Sequence, residues 1–140
     1  TGALAVARIN RRTYGLSRRL KLLESDYFSA LGGARYDIIV SNPPYVGAAE
    51  YRDLPVEFGH EPASALQSGP DGMDAVRVLL REASRHLEPE GLLVVEVGNT
   101  EDRVRREYPQ LPFLWLEFTR GGGGVFLLTA EQLRRGRAGH

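Results

Sequence analysis

Two short apolar runs set the tightest limits on what this chain can fold into: Tyr36-Asp37-Ile38-Ile39-Val40-Ser41-Asn42 and Gly91-Leu92-Leu93-Val94-Val95-Glu96-Val97-Gly98. Their middles are continuous rather than alternating and rich in branched side chains, which suits strands buried on both faces. Between them, Val76, Leu79, Leu80, Ala83 and Leu87 recur at helical spacing from Met73. Asp71 is placed to cap this helix, Asp74 falls in its first turn, and Pro89 and Gly91 stand just past its end. Buried strands alternating with helices predict a parallel α/β sheet, in which ligands gather at the carboxyl ends of strands.

The remaining segments extend this order. Residues 3–14 form an Ala-rich surface helix, with Val6, Ile9 and Thr13 on one face, Arg8, Arg11 and Arg12 on the other, and Gly15 as its stop. Leu20 to Asp26 reads as a further short strand, and Glu101 to Tyr108 as a short helix. Residues 113–118 and 125–129 flank Gly121-Gly122-Gly123-Gly124, the signal of a terminal antiparallel hairpin. Residues 46–70 lack periodicity and hold Pro55, Pro62, Gly69 and Pro70, so they read as a long loop, a feature that compact domains keep mostly for function. The strand ends to inspect are therefore Asp26, Asn42 and Glu96-Val97-Gly98.

Composition narrows the chemistry. With no cysteine, disulfides, thiolate metal sites and cysteine nucleophiles are excluded, and three scattered histidines show no metal-ligand spacing. No apolar run approaches the roughly 20 residues needed to span a bilayer, so no membrane role and a cytoplasmic location are expected. Eighteen basic residues balance eighteen acidic ones, which argues against nucleic-acid binding by global charge. The charge is unevenly spread: residues 1–21 carry six bases and no acid, and Arg134, Arg135 and Arg137 make a second basic end.

Asn42-Pro43-Pro44-Tyr45 directly follows the strand at 36–41. Read plainly it is a turn, since Asn-Pro and Pro-Pro both break regular structure. At a strand end it can do more, because the prolines remove backbone donors and stiffen the chain, so that the Asn42 side chain and the next carbonyl are held toward a pocket. A planar NH2 group offers two hydrogens, which Asn42 Oδ1 and the Pro43 carbonyl could accept together. The nitrogen would be drawn from sp2 toward sp3, its lone pair freed for attack on an electrophilic methyl, while the Tyr45 ring stacks on the flat amide or base.

Amino-group methyltransferases that use S-adenosylmethionine work in this way, and the sequence resembles them. Ser25-Asp26-Tyr27-Phe28-Ser29-Ala30-Leu31, Tyr36 to Tyr45, His60-Glu61-Pro62, Ala65-Leu66 and Asp71-Gly72 are similar to the protein-glutamine N(5)-methyltransferases, the HemK/PrmC and PrmB group. Glu96-Val97-Gly98-Asn99, Trp115 to Phe118 and Gly121 to Thr129 resemble the PrmB branch, which modifies a large-subunit ribosomal protein, although Gly123 stands where that branch usually has an acid. The resemblance implies a bacterial enzyme with a Rossmann-like class I S-adenosylmethionine-dependent sheet that ends in an antiparallel hairpin. It makes Asn42, Pro43 and Tyr45 catalytic, Asn42, Pro43, Pro44 and Tyr45 substrate-binding, and Asp26, Tyr27 and Asn42 cofactor-binding. Glu61 could order the loop, contact substrate or be a solvated charge, Glu96 could be pocket wall or structural support, Trp115 reads as hairpin core, and His60 as loop structure.

Methylation of a release factor or of a nucleic-acid base amino group are the alternatives, since the tetrapeptide is shared among them. The family's glycine-rich cofactor loop and ribose-binding acid have no counterpart here, and Gly121 to Gly124 joins two strands rather than a strand and a helix. By resemblance, residues 1–133 are the C-terminal part of the catalytic domain, lacking its first two strands, and 134–140 a disordered basic tail. That tail reads first as solvated and second as a ribosomal RNA contact. The chain is accordingly expected to fold poorly alone or to pair abnormally; a cooperative thermal transition of the isolated monomer would contradict this.

Overall fold

The computed structural model describes residues 2–47 and 68–138, the last two as backbone only. The chain divides into two compact units, Thr1–Gly32 and Gly33–His140.

The first unit is built on helix α1, Gly2–Thr13. Its end is closed by Gly15 N–H on the Arg12 carbonyl at 3.1 Å and Leu16 N–H on the Arg11 carbonyl at 2.9 Å, a paired closure that satisfies carbonyls the last turn leaves over. Val6 and Ile9 are exposed, as a surface helix requires of no more than scattered apolar residues. The strand expected at Leu20–Asp26 is absent: residues 20–25 form no ladder, and Leu20 and Leu23 stand exposed. A strand exists only by sharing backbone hydrogen bonds with a neighbour, and none of the described residues of this unit supplies one.

The second unit is a mixed α/β layer. Strand β1 (Tyr36–Ser41) pairs in parallel with β2 (Leu87–Glu96), Ser41 lying opposite Val95. Helix α2 (Asp74–Glu82) and a 3-10 turn at Ala83–Arg85 form the crossover between them. Beyond β2 come helix α3 (Glu101–Glu107), strands β3 (Leu114–Leu116) and β4 (Val125–Thr129), and helix α4 (Ala130–Ala138). The sheet order is β1-β2-β4-β3, so the last strand inserts antiparallel between β2 and β3. The expected antiparallel hairpin is present.

One face of this sheet is the core. Leu93, Val95, Phe126 and Leu128 are sealed, together with Val76, Leu79 and Leu80 of α2 and Leu133 of α4. Phe126 meets Phe113 and Trp115 edge-on, with centroids 4.8 and 5.4 Å away, and the Arg105 guanidinium lies 4.5 Å over the indole. Trp115 is thus hairpin core, as expected.

Four sequence expectations change here. Strand 36–41 is not buried on both faces: it is the sheet edge, and Ile38 and Val40 are 58% and 73% exposed because no described element covers that side. Asp71 does not cap α2; Met73 takes the cap position, and Ser68 Oγ instead accepts the Ala75 N–H at 2.9 Å. Leu87 belongs to β2, which starts four residues earlier than the apolar run and takes in Pro89, an exposed position where its missing N–H is tolerated. The basic end is helical rather than disordered through residue 138: Thr129 and Gln132 exchange hydrogen bonds across the start of α4, and Arg135 pairs with Glu131 at 2.6 Å.

Removing the sealed ring at the centre of this layer tests it. Phe126→Ala should lower unfolding free energy by about 3–5 kcal/mol, read as a shift of the urea midpoint.

Candidate active site

The site is assembled where parallel strands end. Because β1 and β2 run the same way with Ser41 opposite Val95, the segments that leave them, Asn42 onward and Val97 onward, emerge side by side. β4 runs the other way, so the residue that enters it, Gly124, lies at the same end; its carbonyl accepts the Val97 N–H at 2.6 Å.

Along the tetrapeptide, Asn42 is exposed, Pro43 is buried, and Pro44 and Tyr45 are half-buried. Asn42 is thus open to solvent at the strand end, next to a buried proline. The hydroxyl-bearing edge of the Tyr45 ring lies against Gly98, which begins a 3-10 turn after β2, Gly98–Thr100. Thr100 closes that turn by donating from Oγ1 to the Val97 carbonyl at 2.8 Å.

A second segment holds the tetrapeptide from behind. The Ser68 N–H donates to the Val46 carbonyl at 3.0 Å, and Gly72, at φ +78°, sits so close to the Tyr45 carbonyl that a Cβ there would collide with it. The turn carrying Gly72 is fixed by charge. Arg77 of α2 reaches Asp71 at 2.7 Å and grips Glu107 of α3 through Nε and Nη2, both at 2.7 Å; Arg103 donates to the Asp71 carbonyl. Hydrogen bonds from Arg77 hold the Asp71 and Glu107 carboxyls below their usual range, and Glu107 and then Asp71 push the guanidinium further up. Sequence reasoning singled out Asp71-Gly72 but missed Arg77, whose signal was its placement one turn after Asp74 and two after Asp71.

Asp26 and Tyr27 lie in the other unit, on an exposed turn. Ser25 Oγ donates to the Tyr27 carbonyl at 2.8 Å and accepts the Ala30 N–H at 3.0 Å, while the Asp26 N–H donates to Ser29 Oγ at 3.2 Å. Tyr27 is held at φ +47°, a conformation uncommon for a residue with a Cβ and one that concentrates at ligand-contacting positions. Glu96 is half-buried on β2 opposite Val125. His60 and Glu61 lie outside the described residues. Among the described residues no cluster of metal-binding side chains occurs, and no helix is long and apolar enough to cross a membrane.

Comparison with known proteins gives one consistent result. The chain is 53% identical over 131 residues to the ribosomal protein uL3 glutamine methyltransferase of Neisseria meningitidis serogroup A, covering 94% of this chain and 43% of the relative. It is similarly related to enzymes of that name from Burkholderia pseudomallei, at 45% identity over 138 residues, and Francisella tularensis, at 43% over 131. The chain spans less than half the length of these curated relatives, at 43%, 45% and 42% respectively. No family model matches it. The likeness to protein-glutamine methyltransferases carried by the motifs thus extends over nearly the whole chain.

The Arg77 anchor has a defined pH range. A carboxyl whose folded pKa is depressed contributes stability that is present above its unfolded value and lost as pH falls through the folded one. The Asp71–Gly72 turn should therefore stay anchored at neutral pH and loosen only below about pH 4. Met73, whose N–H donates to Asp71 Oδ1 at 3.1 Å, is the reporter: its amide-exchange protection should hold from neutral pH down to that point. Arg77→Gln should lower the protection at neutral pH already.

Proposed function

We propose that this chain is the substrate-binding, C-terminal part of an S-adenosylmethionine-dependent enzyme that methylates the side-chain amide nitrogen of a glutamine in a large-subunit ribosomal protein. The observation that carries the reading is the placement of Asn42-Pro43-Pro44-Tyr45: exposed asparagine, buried proline and half-buried tyrosine at the carboxyl end of a strand beside a parallel neighbour. The relatives' names give the substrate class, and their shared name for a ribosomal protein favours it over a release factor or a nucleic-acid base.

In this reading Asn42 Oδ1 and the Pro43 carbonyl accept the two hydrogens of the glutamine NH2. Amide resonance, which makes that nitrogen a poor nucleophile, is weakened as the nitrogen becomes pyramidal. Pro44 stiffens the turn so that the two acceptors need no reorganisation when substrate arrives, and the Tyr45 ring packs on the amide plane to hold the nitrogen in line. No side-chain base is required, since the methylated nitrogen can release its proton to water after transfer. Bound S-adenosylmethionine supplies the electrophilic methyl. Asp26 and Tyr27 would hold its adenine side and Asn42 would face its reactive end.

The mixed sheet supports a Rossmann-like class I architecture, with residues 1–133 as part of one catalytic domain. The parallel β1–β2 pair followed by the inserted antiparallel β4 supplies one flank of it, and the free edge of β1 is where further strands would pair. Exposed Arg134 and Arg135 on α4 would face RNA only as a secondary contact, since Arg135 is already paired with Glu131 and Arg134 donates to the Pro89 carbonyl at 3.3 Å.

Incubating an enzyme of the relatives' full length carrying this sequence with methyl-labelled cofactor and ribosomal proteins should place label on a glutamine of a large-subunit protein. Label confined to nucleic acid or to a release factor would overturn the reading. Asn42→Ala should lower kcat by about 10²- to 10³-fold, the loss expected when one preorganised hydrogen-bonding group is removed.

A further inference from the structure

We infer that Gly98 is a positioning residue for Tyr45: its missing side chain is the seat on which the substrate-facing ring rests. The inference rests on the methyltransferase reading and adds to it a residue outside the tetrapeptide.

A Cβ built on Gly98 would lie 2.8 Å from Tyr45 Cε2, 2.9 Å from Cζ and 3.3 Å from Cδ2. Carbon atoms in contact settle near 3.5–4.0 Å, so the hydroxyl-bearing edge of the ring occupies the space a side chain would take. Gly98 also sits at φ +51°, so its backbone already has the conformation that glycine adopts most readily. Gly124 crowds the same residue: a Cβ on Gly124 would collide with the Gly98 carbonyl oxygen and lie 2.8 Å from the Gly98 nitrogen. From the other direction Gly72 holds the Tyr45 carbonyl. Tyr45 is therefore met by glycine at both of its ends, its carbonyl by Gly72 and its ring by Gly98. An added methyl at 98 must displace the ring itself, and the ring is the group that aligns the amide. Misalignment of this kind lowers turnover more than it lowers binding.

The test uses an enzyme of the relatives' full length carrying this sequence, with glutamine methylation and thermal unfolding as paired readouts. Gly98→Ala should lower kcat by about 10- to 100-fold while KM for the cofactor stays within about twofold. Gly32→Ala is the control for backbone strain alone, because Gly32 has φ +58° with nothing within 4 Å of its Cβ position; it should retain kcat. In a Tyr45→Ala background Gly98→Ala should cost almost nothing further, since the ring it acts through is gone. Should Gly98→Ala fail to fold, the double variant with Tyr45→Ala should regain the transition of Tyr45→Ala alone.

A loss from Gly98→Ala no greater than from Gly32→Ala would overturn the inference. So would an undiminished loss in the Tyr45→Ala background, or a double variant that stays unfolded. Asn42→Ala with full activity would instead remove the methyltransferase reading of the tetrapeptide, and this inference with it.

Discussion

Parallel pairing of β1 with β2 is the constraint on which the rest of the unit depends. Had the two strands run in opposite directions, Asn42 and Val97 would leave the sheet at opposite ends and no site could form between them. Running together, they deliver two irregular segments to one edge, and the antiparallel β4 brings Gly124 to the same place. Three backbones and the 68–72 turn then compete for little volume. Glycine is the residue that lets them approach, which is why Gly72, Gly98 and Gly124 all meet neighbouring backbone or ring atoms where a side chain would begin.

The packing behind that edge is one-sided. Leu93, Val95, Phe126 and Leu128 are sealed by α2 and α4, giving β2 and β4 a rigid inner face. The opposite face leaves Ile38, Val40 and Leu114 exposed, and among the described residues no strand pairs with the outer edge of β1. Apolar side chains beside unpaired strand groups form a surface that attracts other strands. Among the described residues, the strand that bears the tetrapeptide is thus paired on one side only. That makes the contacts beyond its end, to Gly98 and Gly72, matter more to where Tyr45 rests.

How much of this was legible depended on whether the determinant was local. The Ile38-Ile39-Val40 run and the Val76–Leu80 spacing located β1 and α2 because propensity and periodicity act within a few residues. The tetrapeptide at the strand end was equally plain, as was the hairpin around Gly121 to Gly124. Whether strand 36–41 would be buried was not legible, since burial belongs to the neighbours and not to the strand. Leu20–Asp26 failed for the same reason: its apolar residues resemble a strand, but a strand also needs a partner. At the start of α2, Asp71 has the chemistry of a cap, yet Arg77 claims its carboxylate and Ser68, outside the local pattern, takes the buried Ala75 N–H. The basic end became helical because the Thr129–Gln132 exchange caps α4, a signal overlooked beside the arginines.

Arg77 shows how charge far from the reacting atoms can shape the site. It lies on α2 and touches neither the tetrapeptide nor Gly98, yet its links run Glu107 to Arg77 to Asp71, then through the backbone to Gly72 and the Tyr45 carbonyl. Each ion pair here is partly solvated, so none adds much to global stability. Their effect is geometric: a planar guanidinium that satisfies three carboxylates at once, Asp71, Asp74 and Glu107, has few other orientations. Fixing α2 and α3 to the Asp71–Gly72 turn defines where that turn stands, and the turn sets the height of the Tyr45 carbonyl. Gly98 sets the position of the ring at the other end of the same residue. The two supports divide the task by chemistry, with charge fixing the backbone from one side and the absence of a side chain admitting the ring on the other.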